Sequence, residues 1–405
     1  MNTVLPYGLR RIKAIRTLTT ESTAVLMPFR ALEIQDPGGL NYGINAVSKN
    51  PLICDRKRLI SPHAFVLGVS GSGKSVTMKS CITNIALATD DDIIIIDAER
   101  EYGPLVRALG GEIIEISPHS HHHINPLDIG DGYGDGENPI AMKSEVLMSI
   151  IEQQMGTGTL GGAQKSIIDR CTSNILRPYL KNGCKGPAPV LSDWRQEVLK
   201  QPEEAAQEIA LASEIIVEGT LNVFAHATNV DMGSRIISLD LYEMGEQLRP
   251  TGLVVTLEAI QNRVASNRRR GKYTWVFIDE VYLFFKYFYS AQFLYKAWKR
   301  FRKYAAPMTA ATQNVEECLR SETARLMFAN SEFLVLLNQA ATDRAELSKL
   351  LHISDTQMGY ITNSAPGSGL IRMGGTIVPF VNTIPRDTAL YRLMSTTPGD
   401  DVAEK

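Results

Sequence analysis

The chain has 405 residues, room for two or three compact units, with 44% hydrophobic and 21% charged residues, as in ordinary globular proteins. Its formal charge of −2 gives no whole-chain argument for a polyanion partner. No stretch approaches the roughly 20 apolar residues of a membrane span, and the basic N-terminal residues Arg10, Arg11, Lys13 and Arg16 are followed by no apolar segment with a cleavage site. The five cysteines, Cys54, Cys81, Cys171, Cys184 and Cys318, are dispersed with no C-x-x-C pair, which points to reduced thiols and a cytosolic chain.

In chain order, residues 1–60 read as a lead-in with short strands, one of them over 23–27. The run Ala64-Phe65-Val66-Leu67 predicts a buried strand. Gly68-Val69-Ser70-Gly71-Ser72-Gly73-Lys74-Ser75 follows and fits G-x-x-x-x-G-K-[ST] at every fixed position, with a helix expected over 76–89. This is the strand–loop–helix setting in which backbone N–H groups cradle phosphates. Gly71, Ser72, Gly73, Lys74, Ser75 and Val76 are the candidate nucleotide-binding residues. Lys74 supplies charge at the β- and γ-phosphates, and the Ser75 hydroxyl can ligate Mg²⁺. Strands over 92–97 and 112–116, with a helix over 101–109 between them, continue an alternation that implies βαβ units and a mostly parallel sheet. The continuous apolar runs are those of strands buried on both faces.

A glycine-rich polar linker at 131–139 then changes the pattern. Strand signals vanish, and helices are expected over 140–155, 163–179, 191–201 and 203–216, an all-α insertion. The α/β pattern returns with strands over 236–241, 273–279, 307–312 and 333–337, helices over 253–267 and 293–304, and a hairpin pairing 369–373 with 376–380. The tail from 396 reads as disordered. The domain expectation is a nucleotide-binding domain from 61–130 and 230–390, the insertion at 131–229, and a tail at 391–405.

Trp275-Val276-Phe277-Ile278-Asp279-Glu280 has the form of a Walker B element. The strand carries Asp279 to the sheet edge beside the P-loop to hold Mg²⁺, and Glu280 is placed to polarise the attacking water. Gln313, after the neighbouring strand, is the candidate γ-phosphate sensor. Asp97 and Glu99 end the strand after the P-loop helix. They read either as further site carboxylates or as an acidic turn stabilised by a helix dipole.

These elements, with Asn125-Pro126, Phe224-Ala225-His226-Ala227-Thr228-Asn229-Val230-Asp231 and the run from Gly369-Leu370-Ile371 to Val378-Pro379-Phe380, resemble the VirB4 family. Those are the ATPases of type IV secretion and conjugation machines, within the FtsK/HerA group of RecA-like motors. The resemblance spans residues 42–380. Ala98 departs from it, since that turn often has proline. It implies a RecA-like α/β core with ATP and Mg²⁺ as cofactors. It also implies a ring, typically a hexamer, in which an arginine crosses to the neighbouring site. Arg302 is the first candidate, with Arg344 and Arg372 as alternatives. Family members usually carry a further N-terminal domain, so the chain reads as a C-terminal ATPase fragment, one that can be monomeric. Secretion channel components and companion ATPases are the implied partners, at the inner face of the cell membrane. The rival readings are a double-stranded DNA translocase of the FtsK/HerA type and a non-hydrolysing, nucleotide-gated scaffold.

Three further features favour bland readings. His119, His121, His122 and His123 lack a zinc-like spacing and read as a loop. The basic run 268–272 reads as a solvated loop rather than a nucleic-acid contact. The aromatic stretch 282–289 reads as partly buried, with some interface use.

Overall fold

The computed structural model describes residues 18–24, 31–134, 136–156 and 158–396. Residues up to Leu32 form one unit, whose described part holds the short helix Thr20–Ala24. The strand expected over 23–27 fails at its start. The Thr19 hydroxyl accepts the Ser22 N–H at 3.2 Å and opens a helical turn instead. Residues 25–27, the basic N-terminal residues and the tail beyond 396 lie outside the described residues.

The second unit, from Glu33 onward, is built on one eleven-stranded sheet. Its strands are β1 Leu40–Asn45, β2 Pro51–Cys54, β3 Ala64–Leu67, β4 Asp92–Asp97, β5 Glu112–Glu115, β6 Ile236–Asp240, β7 Thr274–Ile278, β8 Met308–Thr312, β9 Phe333–Leu336, β10 Ser368–Met373 and β11 Thr376–Val381. They lie in the order β2-β1-β11-β10-β9-β3-β8-β7-β4-β6-β5. From β9 to β5 all neighbours are parallel. From β9 to β2 all are antiparallel. The hairpin expected at 369–380 is the β10–β11 pair, in continuous register from Ser368↔Val381 to Met373↔Thr376.

Helices cover both faces of the parallel part, and strand alternation sorts the core into two layers. Phe65, Leu67, Ile94 and Ile96 point into one cluster, with the helices after residue 139; Ala64, Val66, Ile93 and Ile95 point into the other, with the P-loop helix Lys74–Ala88. Every residue of β3, β4, β6, β7, β8 and β9 is buried. Between β5 and β6 run four helices, Pro139–Met155, Gly162–Lys181, Leu191–Leu199 and Glu204–Val217. The long helix Gly245–Arg269 starts well before the expected 253 and carries Pro250 inside it, in its second turn.

The first of the four inserted helices is tied to the long helix by a buried ion pair. Lys143 Nζ donates to Glu258 Oε1 at 2.5 Å and to the Pro126 carbonyl at 2.8 Å, and lies 4.4 Å from the Tyr133 ring centre. The two side chains are 0% and 1% exposed. Burial holds the Lys143 ammonium below its usual range, while Glu258 draws it back up. Lys143→Met leaves an uncompensated buried carboxylate. It should therefore destabilise the fold by about 3–5 kcal/mol in urea unfolding, and adding Glu258→Leu should recover most of that loss.

Candidate nucleotide site

The parallel strands β3, β8, β7 and β4 end side by side, and the candidate site is assembled at that edge. The loop after β3 turns through two left-handed glycines, Gly71 at φ +73° and Gly73 at φ +95°. A Cβ on Gly73 would stand 2.7 Å from the Gly367 nitrogen, so this position requires glycine twice over. Gly367 N–H donates to the Ser72 carbonyl at 2.9 Å. On the other side Val69 N–H donates to the Asn338 carbonyl at 2.9 Å, and Gln339 Nε2 donates to the Leu67 carbonyl at 2.8 Å. The P-loop is therefore clasped by 338–339 and by Gly367, segments with no signature in the sequence beyond a polar turn after an apolar strand. Lys74 opens the helix Lys74–Ala88, with Ser75 and Val76 half-buried in its first turn. The Ser72 hydroxyl is buried with no hydrogen-bond partner.

Lys74 Nζ lies 3.8 Å from Glu280 Oε1, and both side chains are under 10% exposed. Glu280 has φ +46°, a strained conformation for a residue with a Cβ. Asp279 Oδ1 accepts the Glu280 N–H at 3.1 Å and supports that turn. The other oxygen, Glu280 Oε2, stands 3.5 Å from the backbone nitrogen of Gln313, which donates to it. Lys74, Glu280 and Gln313, from three elements, thus meet. Asp279 is 5% exposed, and its carboxyl is pushed up to about 8, first by burial and then by the charges of Glu280, Glu101 and Asp97, with Lys74 opposing. Burial also raises Glu280, again against Lys74.

Asp97 is spent locally. Its two oxygens accept the backbone N–H groups of Glu101 at 3.0 Å and Tyr102 at 2.9 Å, which open the next helix. Glu99 is exposed at the rim, where its charge reaches Glu280. Glu101, not singled out from the sequence, has one carboxylate oxygen buried without a partner. Its only signal was its place in the acidic turn. Arg302 is not at this edge. It is exposed in the turn Arg302–Tyr304 before β8, at the opposite end of the sheet.

Among the described residues no three His, Cys, Asp or Glu side chains are placed to hold a metal by themselves. Mg²⁺ characteristically takes one or two protein oxygens and completes its shell with phosphate and water. Ser75 and Asp279, beside a loop with an orphaned Ser72 hydroxyl, fit that habit. The histidines act as a clasp: His122 Nδ1 accepts the Glu115 N–H at 2.9 Å, and His123 N–H donates to Asn229 Oδ1 at 2.8 Å. The basic run is largely engaged internally, with Arg269 on Asp131 at 2.7 Å and Lys272 paired to Asp92.

Residues 43–216 match the family model described as "Helicase HerA, central domain". VirB4 of Thermoanaerobacter pseudethanolicus superposes with a TM-score of 0.73 at 20% identity, over 87% of this chain and 99% of that one. The chain has the fold of the FtsK/HerA-type motors. A second structure with this fold is the plasmid coupling protein TrwB in complex with ADP and Mg²⁺, at TM-score 0.55 and 14% identity over 92% of this chain and 94% of that one. No curated protein matches the sequence. In that fold as this chain builds it, β8 and β7 lie between the P-loop strand β3 and β4. Among the described residues no helix is long and apolar enough to cross a membrane.

Two outcomes are expected. Gly73→Ala forces the loop off Gly367 and should weaken ADP binding by at least about tenfold in calorimetry, since such backbone strain costs on the order of 1–3 kcal/mol. The second concerns pH. The folded, metal-free protein keeps a proton on Asp279 up to about pH 8, whereas the unfolded chain releases it near pH ~4. The folded state binds the extra proton between these values, so stability falls as pH rises from about 4 to about 8. Asp279→Asn should flatten that slope and raise the unfolding free energy at pH 8 in EDTA by at least ~1 kcal/mol, seen as a higher melting temperature.

Proposed function

We propose that this chain is an ATP-hydrolysing motor domain that powers assembly of, or substrate transport through, a type IV secretion or conjugation apparatus. The observation that carries the reading is the meeting of Lys74, Glu280 and Gln313 at one sheet edge. A P-loop lysine, a Walker B glutamate and a strand-end amide are the parts a nucleotide hydrolase needs within reach of one γ-phosphate.

In this reading the P-loop N–H groups bind the phosphates, and Lys74 moves from Glu280 to the β- and γ-phosphate oxygens. Glu280, raised by burial, orients the attacking water and accepts its proton. Gln313, whose backbone already holds Glu280, reports γ-phosphate occupancy to β8. Ser75 and Asp279 hold Mg²⁺, which when bound neutralises charge developing between the β- and γ-phosphates. Glu99 lines the rim. Arg302, at the far end of the sheet, acts on the next copy in a head-to-tail ring, an arrangement that closes by rotation. The ring is sixfold and works with secretion channel components and companion ATPases at the inner face of the cell membrane. TrwB, bound to ADP and Mg²⁺ in its own structure, supports the choice of cofactors.

Steady-state ATP hydrolysis measured against protein concentration tests this. Turnover should rise more than linearly with concentration, vanish in Lys74→Ala and ignore double-stranded DNA. Glu280→Gln should keep nucleotide binding but lose at least about a hundredfold in turnover. Strong DNA stimulation would instead mark a translocase, and binding without turnover at any concentration would mark a scaffold.

A further inference from the structure

At the end of the sheet opposite the P-loop lies a cavity of about 870 Å³, between helix Pro139–Met155, the long helix Gly245–Arg269 and helix Phe288–Phe301. Its volume is in the range of small-molecule sites. The acids that line it are already matched. Glu145 pairs with Lys296 at 2.8 Å, Glu137 with Arg300 at 2.6 Å, and Glu258 with Lys143 at 2.5 Å. Lys299, Arg302 and Lys303, on the same wall, have no carboxylate partner among the described residues. Lys299 has only the Tyr295 ring, 4.1 Å away.

The floor adds a buried donor that lacks an acceptor. Trp298 is 1% exposed, and its Nε1–H has no partner. His63, also 1% exposed, stacks on it with ring centres 4.7 Å apart. His63 Nδ1 accepts the Met308 N–H at 3.1 Å, which leaves the ring proton on Nε2. That N–H faces the Trp298 carbonyl side without closing a hydrogen bond of good geometry. Burial, Arg56 and Arg302 push the His63 ring down to about 3, so it stays neutral and donates only through Nε2. A buried donor left unmatched opposes folding until an acceptor arrives. Here one fully unmatched donor and one poorly matched donor lie beneath three unpaired cations.

We propose that this cavity is a second anion site, which takes a small polyphosphate-bearing ligand on Lys299, Arg302 and Lys303 with the Trp298 indole N–H beneath it. Several cations with no matching acid, beside the unmatched Trp298 indole N–H, call for a ligand with several acceptor oxygens and more than one negative charge. The site needs nothing from the P-loop; it shares Arg302 with the proposed ring contact, while Lys299, Lys303 and Trp298 have no part in the proposed motor activity.

The probe is inorganic tripolyphosphate, titrated by calorimetry into the full chain carrying Lys74→Ala, at low salt and at concentrations where sedimentation shows a monomer. One tripolyphosphate should bind per chain. Lys299→Glu with Lys303→Glu, both exposed and so safe for the fold, should weaken it by at least about tenfold. Trp298→Phe should weaken it several-fold at an unchanged melting temperature; if that variant does not fold, the lysine pair decides alone. Absence of binding, or binding untouched by the lysine changes, overturns the site. Binding seen only in a self-associated fraction also overturns it, since the phosphate chemistry would then belong to an interface with a neighbouring copy.

Discussion

Burial on both faces is the constraint from which the rest of this molecule follows. The strands from β9 to β6 have helices above and below, so their middles are almost wholly apolar. Charge is displaced to strand ends. At the carboxyl ends of β4 and β7, and in the turns that follow, this brings Asp97, Glu101, Asp279 and Glu280 close to a single lysine, Lys74. The raised carboxyls of Asp279 and Glu280 are the electrostatic record of that crowding. A site so rich in acid and so dry favours any arriving cation and its phosphate counter-ligands.

How much of this was legible in the sequence depends on the range of the interaction. The P-loop, the β7 strand with its two terminal acids, and the β10–β11 hairpin are local patterns, and each formed where its residues indicated. The strand expected over 23–27 is helical at residues 23–24 because a threonine four residues before it caps a helical turn, a local hydrogen bond that outcompetes β-branched propensity. Asp97 illustrates a subtler loss. Its type and position suited a site carboxylate, yet its oxygens are occupied by the backbone of the next helix. The sequence motif could not distinguish a ligand from a cap, and both readings had been open.

Gln339, Asn338 and Gly367 were invisible for another reason. They touch the P-loop across more than 260 residues of chain, Asn338 and Gly367 through backbone atoms that any residue type could supply and Gln339 through a side-chain amide with no local signature. Arg302 was legible as an arginine near a strand start, but its distance from the chain's own nucleotide edge follows only from strand direction. The basic run 268–272 shows the converse. It looked like a surface patch, and the acids that engage it, Asp92 and Asp131, lie far away in sequence.

The clasp on the P-loop also bears on how the chain is made. Strand β3 leaves the ribosome early, but its two neighbours are β8 and β9, and Gly367 comes later still. The apolar Ala64–Leu67 segment has both edges open until β8 is made, and the loop lacks its partners until some 270 further residues have been synthesised, at ~5–20 residues per second. The nucleotide pocket is therefore among the last features to form although its motif is among the first to emerge. Nascent chains of this type should depend on holdase protection during that interval.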